Sequence, residues 1–255
     1  TWDPSETMSG ASDDWAYEHL GVFGWTTEFW DIVRAATGEK QSPHFWYTGP
    51  TDAQRLAVAR WLGGQPETDP ATRGFVDWYA FDHPQLGPVE LGGWNQLHSW
   101  TNPPPHLLLA EVDGHVDFAV AQALAAPCVE LRHTAVTGVG HDTWQVTAGV
   151  ANTGWLPTTV SDHAKAQALV RPIVAELVGS VEVLDGAARR TLGQLAGASS
   201  AQFGDATMGT PDRAVCNWLV RAPAGTEVAI VIRHDRAGSD SRTVTLADPE
   251  PEIRS

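Results

Sequence analysis

The feature that most constrains this chain is a change of hydrophobic period at Pro127. Downstream of it, Val129 and Leu131 alternate with Glu130 and Arg132, and Trp144, Val146, Ala148 and Val150 alternate with polar or small residues. A period of two puts every second side chain on one face of an extended strand, which suits a half-buried sheet. Asn152-Thr153-Gly154 makes a turn, Val181 and Val183 lead into another at Asp185-Gly186, and Val228, Ile230 and Ile232 are answered across Ala237-Gly238 by Val244 and Leu246. Short strands punctuated this regularly predict a β-sandwich of about 120 residues. Residues 161–170 are ambiguous and admit a short helical connection inside it, and the polar, proline-bearing residues 248–255 read as a frayed tail.

Upstream of Pro127 the pattern is mixed. Thr51 with Gln54 three residues later forms a capping-box signature, and Leu56, Ala57, Arg60 and Trp61 follow helical spacing up to Gly63. Residues 65–74 read as a loop, and Phe75 to Asn95 as short strands or a hairpin. The prolines 103–105 are tolerated in the first turn of a second helix, which carries Leu107, Leu108, Leu109, Val112, Val116 and Ala119. Val22 to Trp30 is rich in β-branched and aromatic residues and predicts a buried strand. The fold class expected is therefore α+β, with a boundary between residues 127 and 128 and the sandwich over 128–247.

Composition removes several functions. The formal net charge is −15, which disfavours nucleic acid and anionic membrane surfaces, since both reward a basic face. No apolar run is long enough for a transmembrane helix. Cys128 and Cys216 are the only cysteines, too few for a disulfide framework or a zinc knuckle, so they either pair with each other or remain free thiols.

The segment with chemical content is residues 9–28, SGASDDWAYEHLGVFGWTTE. It resembles the closing segment of the catalytic domain in the zinc metallocarboxypeptidases of the M14 family. There a Gly-rich loop runs into Asp-Trp-x-Tyr, and a Gly leads into a strand ending on Thr-x-Glu or Thr-Glu. Asp14, Trp15 and Tyr17 match the first part; Gly21, Thr26 or Thr27, and Glu28 match the second. The resemblance implies a partial α/β carboxypeptidase-like domain over residues 1–127, with a helical extension, followed by a fibronectin-like sandwich. It implies that Glu28 is the general base of peptide hydrolysis, that zinc is the parent enzyme's cofactor, and that peptide or protein C-termini are the substrates. Ser12 and Asp13 fall where the family's loop approaches substrate; an acid at the position of Asp13 suits a basic C-terminal residue, or it simply caps the helical turn that follows.

Two departures qualify the match. The family's substrate-contacting tyrosine has no counterpart; ungapped counting puts Glu6 there, and Trp2 is not equivalent. The family's zinc ligands, a His-x-x-Glu pair and a later His, are also absent: none of the ten histidines begins such a pair. Glu111 and His115 lie one helical turn apart but supply only two ligands, and read as a solvated helix face. The chain as given is therefore expected to bind no zinc and to be inert. With Thr at position 1, the expectation is a fragment of a longer enzyme, with residues 1–45 poorly packed. The rival expectation is a non-catalytic binding or structural sandwich, in which Trp94, Trp100, Trp144, Trp155 and Trp218 either line a binding face or pack the core.

Overall fold

A computed structural model describes residues 10–40, 45–198 and 210–247. The tail 248–255, Trp2 and Glu6 lie outside the described residues. The described chain mixes helices with antiparallel sheets, an α+β arrangement, and divides into two units. Among the described residues, one comprises 26–40 and 45–119 and the other comprises 10–25, 120–198 and 210–247. Residues 10–25 fall in the second unit, with the strands that follow residue 128.

The first unit is built on helices and one hairpin. Helix α2 (Ile32–Thr37) is capped by Asp31, whose side chain accepts from Arg34 N at 3.0 Å. After the short α3 (Phe45–Thr48), helix α4 (Asp52–Gly63) opens on the expected capping box: Gln54 N donates to Thr51 Oγ1 at 3.2 Å and Thr51 N to Gln54 Oε1 at 2.9 Å. Ile32, Val33, Val58 and Leu62 are the buried core of this unit, with Trp30, Trp61, Phe75 and Trp100 packed on them. Strands β1 (Phe75–His83) and β2 (Gly87–Trp94) pair as the hairpin. Helix α5 (Pro105–Leu124) follows the three prolines, and the division between units falls within it. No helix among the described residues is long and apolar enough to cross a membrane.

The second unit opens with α1 (Ser12–Trp15), which runs into a wider-wound turn over Ala16–Leu20. The rest is two four-stranded antiparallel sheets. One runs β3 (Val129–Gly140), β4 (Thr143–Asn152), β8 (Arg213–Arg221), β6 (Glu182–Val183); the other runs β10 (Gly238–Thr245), β9 (Glu227–His234), β5 (Val174–Val178), β7 (Arg189–Thr191). Of the alternating residues read from the sequence, Val146, Ala148 and Val150 of the first sheet meet Val228, Ile230 and Ile232 of the second in one core, joined by Trp218, Ala175 and Leu177 from strands that were not predicted. The helical connection is α6 (Asp162–Ala166). Its N-cap is Ser161, whose hydroxyl accepts from Ala164 N at 3.1 Å.

The predicted strand over Val22–Trp30 is not formed. No strand is assigned to it among the described residues, and Phe23, Trp25 and Phe29 are exposed. Apolar composition favours a strand only where neighbours cover both faces, and here Phe23, Trp25 and Phe29 stay exposed. The stretch instead ends at a backbone outlier: Trp30 has φ 76°, left-handed space that a bulky residue seldom enters.

Candidate functional site

Glu28 lies in the first unit, exposed on the wall of a cleft of about 1030 Å³. Thr27, Phe29 and Trp30 line it beside Glu28; Asp31 and Arg34 come from the start of α2, Gln96 and Trp100 from the chain after β2, and Glu111 from α5. The Trp30 outlier is held from both sides. Its indole N–H donates to Ser99 O at 2.5 Å, and its ring lies 6.0 Å from that of Trp61. Ser99 is fully buried and donates its hydroxyl to Asn95 O at 2.6 Å. Left-handed backbone at such a residue costs on the order of 1–3 kcal/mol and persists only where packing fixes it; here it sets the direction in which the chain carrying Glu28 leaves the core. Arg34 is the one cation among the cleft-lining residues, against the carboxylates Glu28, Asp31 and Glu111, and Asp31 is already committed to capping α2.

Ser12 and Asp13 lie in the second unit, so Glu28 is not grouped with them. The N-cap of α1 is Ala11, with no side-chain cap, so Asp13 is not the cap. Asp13 stands inside the first turn with Asp14, where the positive end of the helix favours acid. The chain then doubles back: a Cβ placed on Gly24 would come within 2.4 Å of Asp13 Cα.

No group of three or more His, Cys, Asp or Glu among the described residues could hold a metal ion, so these residues do not fit a zinc site. His115, one turn from Glu111, instead lies 6.0 Å ring to ring from Phe29. The tryptophans divide by role. Trp144 and Trp218 are core, donating to Ala222 O and Ala188 O at 2.9 Å each, and Trp94 sits edge-on to both Phe75 and Trp100. Trp155 is exposed. They do not form one binding face.

Sequence reasoning missed the contacts that seat residues 16–24. Arg236, in the turn between β9 and β10, donates through Nη1 to Thr159 O at 2.6 Å and Gly21 O at 3.3 Å, and through Nη2 to Leu20 O. Ser161 donates its hydroxyl to Gly21 O at 2.6 Å. His163 stacks on Tyr17, with ring centroids 4.9 Å apart, and its Nε2 lies 3.2 Å from Glu18 O. The groups that hold Glu18, Leu20 and Gly21 lie 140 or more residues away, and no local spacing announces them. It also missed the pair in which His106 Nδ1 lies 2.5 Å from Glu67 Oε1, at the start of α5. A second depression, of about 430 Å³, gathers Arg171, Arg189 and Arg233 on the outer face of the β5–β9 pair, but Asp235 and Glu176 bind two of these.

Residues 128–245 match a family model described as a domain of unknown function (DUF8731), which coincides with the sandwich. No curated protein and no solved structure matches the chain.

Proposed function

We propose that residues 9–28 are the closing segment of a zinc metallocarboxypeptidase catalytic domain, and that the full-length gene product hydrolyses C-terminal peptide bonds with Glu28 as its proton-transfer residue. The observation that carries this reading is the coupling of the Asp14-Trp15-x-Tyr17 and Thr27-Glu28 pattern to a carboxylate exposed on the wall of a large cleft. A carboxylate so placed takes a proton from an attacking group and returns it to the leaving amine. Phe29, Trp30 and Trp100 give the cleft apolar walls, and Arg34 offers positive charge to an anionic substrate group. Asp13 is the candidate for attracting a basic C-terminal side chain. The described residues do not supply the metal set such an enzyme needs, so the reading places the zinc ligands elsewhere in the full-length product and expects the 255-residue chain alone to be inert.

The test is peptide hydrolysis and metal content of the full-length gene product beside this chain. The expected result is one zinc and release of C-terminal residues from the former, neither from the latter, and a loss of about 10²- to 10⁴-fold in kcat for Glu28→Gln. A full-length product that binds no zinc and cleaves nothing, or a Glu28→Gln variant of undiminished rate, overturns the reading. In that event the alternative is a sandwich that serves as a non-catalytic binding or structural module.

A further inference from the structure

We infer that the sandwich is a clamp for the substrate-facing segment, with Arg236 as the positioning residue that holds Leu20 and Gly21 and thereby seats Ser12 and Asp13. The clamp rests on contacts within the second unit; its role in substrate binding rests on the carboxypeptidase reading above.

The physical need comes first. The turn Ala16–Leu20 ends at Gly21, which adopts φ 62°. The last carbonyls of a helical turn have no partner within it and carry its negative end. A guanidinium presents several N–H donors in a fixed plane, so one side chain can satisfy carbonyls from separate segments. Arg236 does this for Leu20, Gly21 and Thr159. Ser161, itself buried, adds a second donor to Gly21 O.

Shape closes the same contact. A Cβ on Gly21 would fall 2.5 Å from Ala164 Cβ, so the backbone at Gly21 lies directly against α6, and only glycine allows that approach with that φ. The Tyr17–His163 stack fixes the preceding turn. The turn that carries Arg236 is itself pinned: Arg236 N and Ala237 N donate to His234 Nδ1 at 3.2 and 3.1 Å. Beyond Gly21, Gly24 abuts the backbone of Asp13. Releasing Leu20 and Gly21 therefore removes the support under the turn that presents Ser12 and Asp13.

Two arms test this. In the 255-residue chain, hydrogen exchange is followed for Arg236→Met, Arg236→Lys and, from the other side of the contact, Gly21→Ala. The expected result is exchange about 10- to 100-fold faster at the amides of Gly21 and Val22 in Arg236→Met and in Gly21→Ala, a smaller change in Arg236→Lys, and unchanged protection in β4 and β8. Unchanged exchange at Gly21 and Val22 in both Arg236→Met and Gly21→Ala overturns the clamp. In the full-length product, Arg236→Met raises KM for a peptide with a basic C-terminal residue by about tenfold with kcat and zinc content little changed, because uniform binding is lost; Arg236→Lys restores part of it. Faster exchange with an unchanged KM overturns the positioning role. A wild-type product that cleaves nothing overturns the carboxypeptidase reading and the positioning role together, while the exchange arm still decides the clamp.

Discussion

Asn152 closes one end of the sandwich, and its replacement by alanine exposes how much that end depends on one side chain. It is 3% exposed and uses its whole amide. Nδ2 donates to Leu156 O at 2.8 Å and Ala196 O at 3.0 Å, while Oδ1 accepts from Cys128 N at 3.0 Å and Gly154 N at 3.1 Å. Asn152→Ala leaves two N–H groups and two carbonyls without these partners. A buried polar group left unpaired costs about 1–3 kcal/mol. Cys128 is exposed and Leu156 only partly covered, so water repairs part of the loss, and the expected destabilisation is about 3 kcal/mol. At roughly 4 °C per kcal/mol for a unit of this size, the melting temperature falls by about 12 °C. Urea unfolding followed by tryptophan fluorescence is the assay, since Trp144 and Trp218 lie in the same core; the midpoint should fall with the slope unchanged. Asn152→Asp keeps an acceptor for Cys128 and Gly154 but turns a carboxylate oxygen toward two carbonyls, so it should be at least as damaging at neutral pH. A loss below about 1 kcal/mol for Asn152→Ala would refute the claim that these bonds, rather than strand pairing, secure the end.

Two further outcomes follow from burial. Burial holds the His234 imidazole below its ordinary value, 6.5, and its Nδ1 is occupied by two backbone donors. The unfolded chain therefore takes up this proton first as pH falls, so the contribution to stability is complete above about pH 6.5 and is lost as pH drops toward the folded-state value; a urea midpoint that does not decline between about pH 7.5 and 5.5 contradicts this. Cys128 is an exposed free thiol and Cys216 a buried one, pushed up by burial. A disulfide-exchange reagent should titrate one thiol in the native chain and two after unfolding, and two fast thiols in the native state would contradict the placement of Cys216.

What could be read from the sequence is what is local. The period-two runs pointed to β3, β4 and β9 because burial on one face imposes that alternation, whereas β5, β7 and β8 were not read, and Thr51 with Gln54 marked the start of α4 because a capping box is complete within four residues. What was missed depends on partners far along the chain. Val22–Trp30 has strand composition but is not a strand among the described residues. The turn between β3 and β4 uses His141 at φ 52° and Asp142 at φ 53°, without the Asn-Gly or Asp-Gly pair that would have marked it. Glu28 was found by motif, but the residues that share its cleft, Gln96, Trp100 and Glu111, come from elements about 70 or more positions away. Arg236 carried no signal at all, because a surface arginine in a tight turn becomes a clamp only when carbonyls from residues 20, 21 and 159 arrive beside it.

That last contact has a consequence for how the protein is made. Arg236 and Leu20 are 216 residues apart, and the ribosome adds about 5–20 residues per second. Residues 12–21 therefore wait about 10–40 s after synthesis before the guanidinium that seats them exists. During that interval the carbonyls of Leu20 and Gly21 lack the guanidinium that later holds them. One of the earliest segments to leave the ribosome is thus secured only after translation has passed β9.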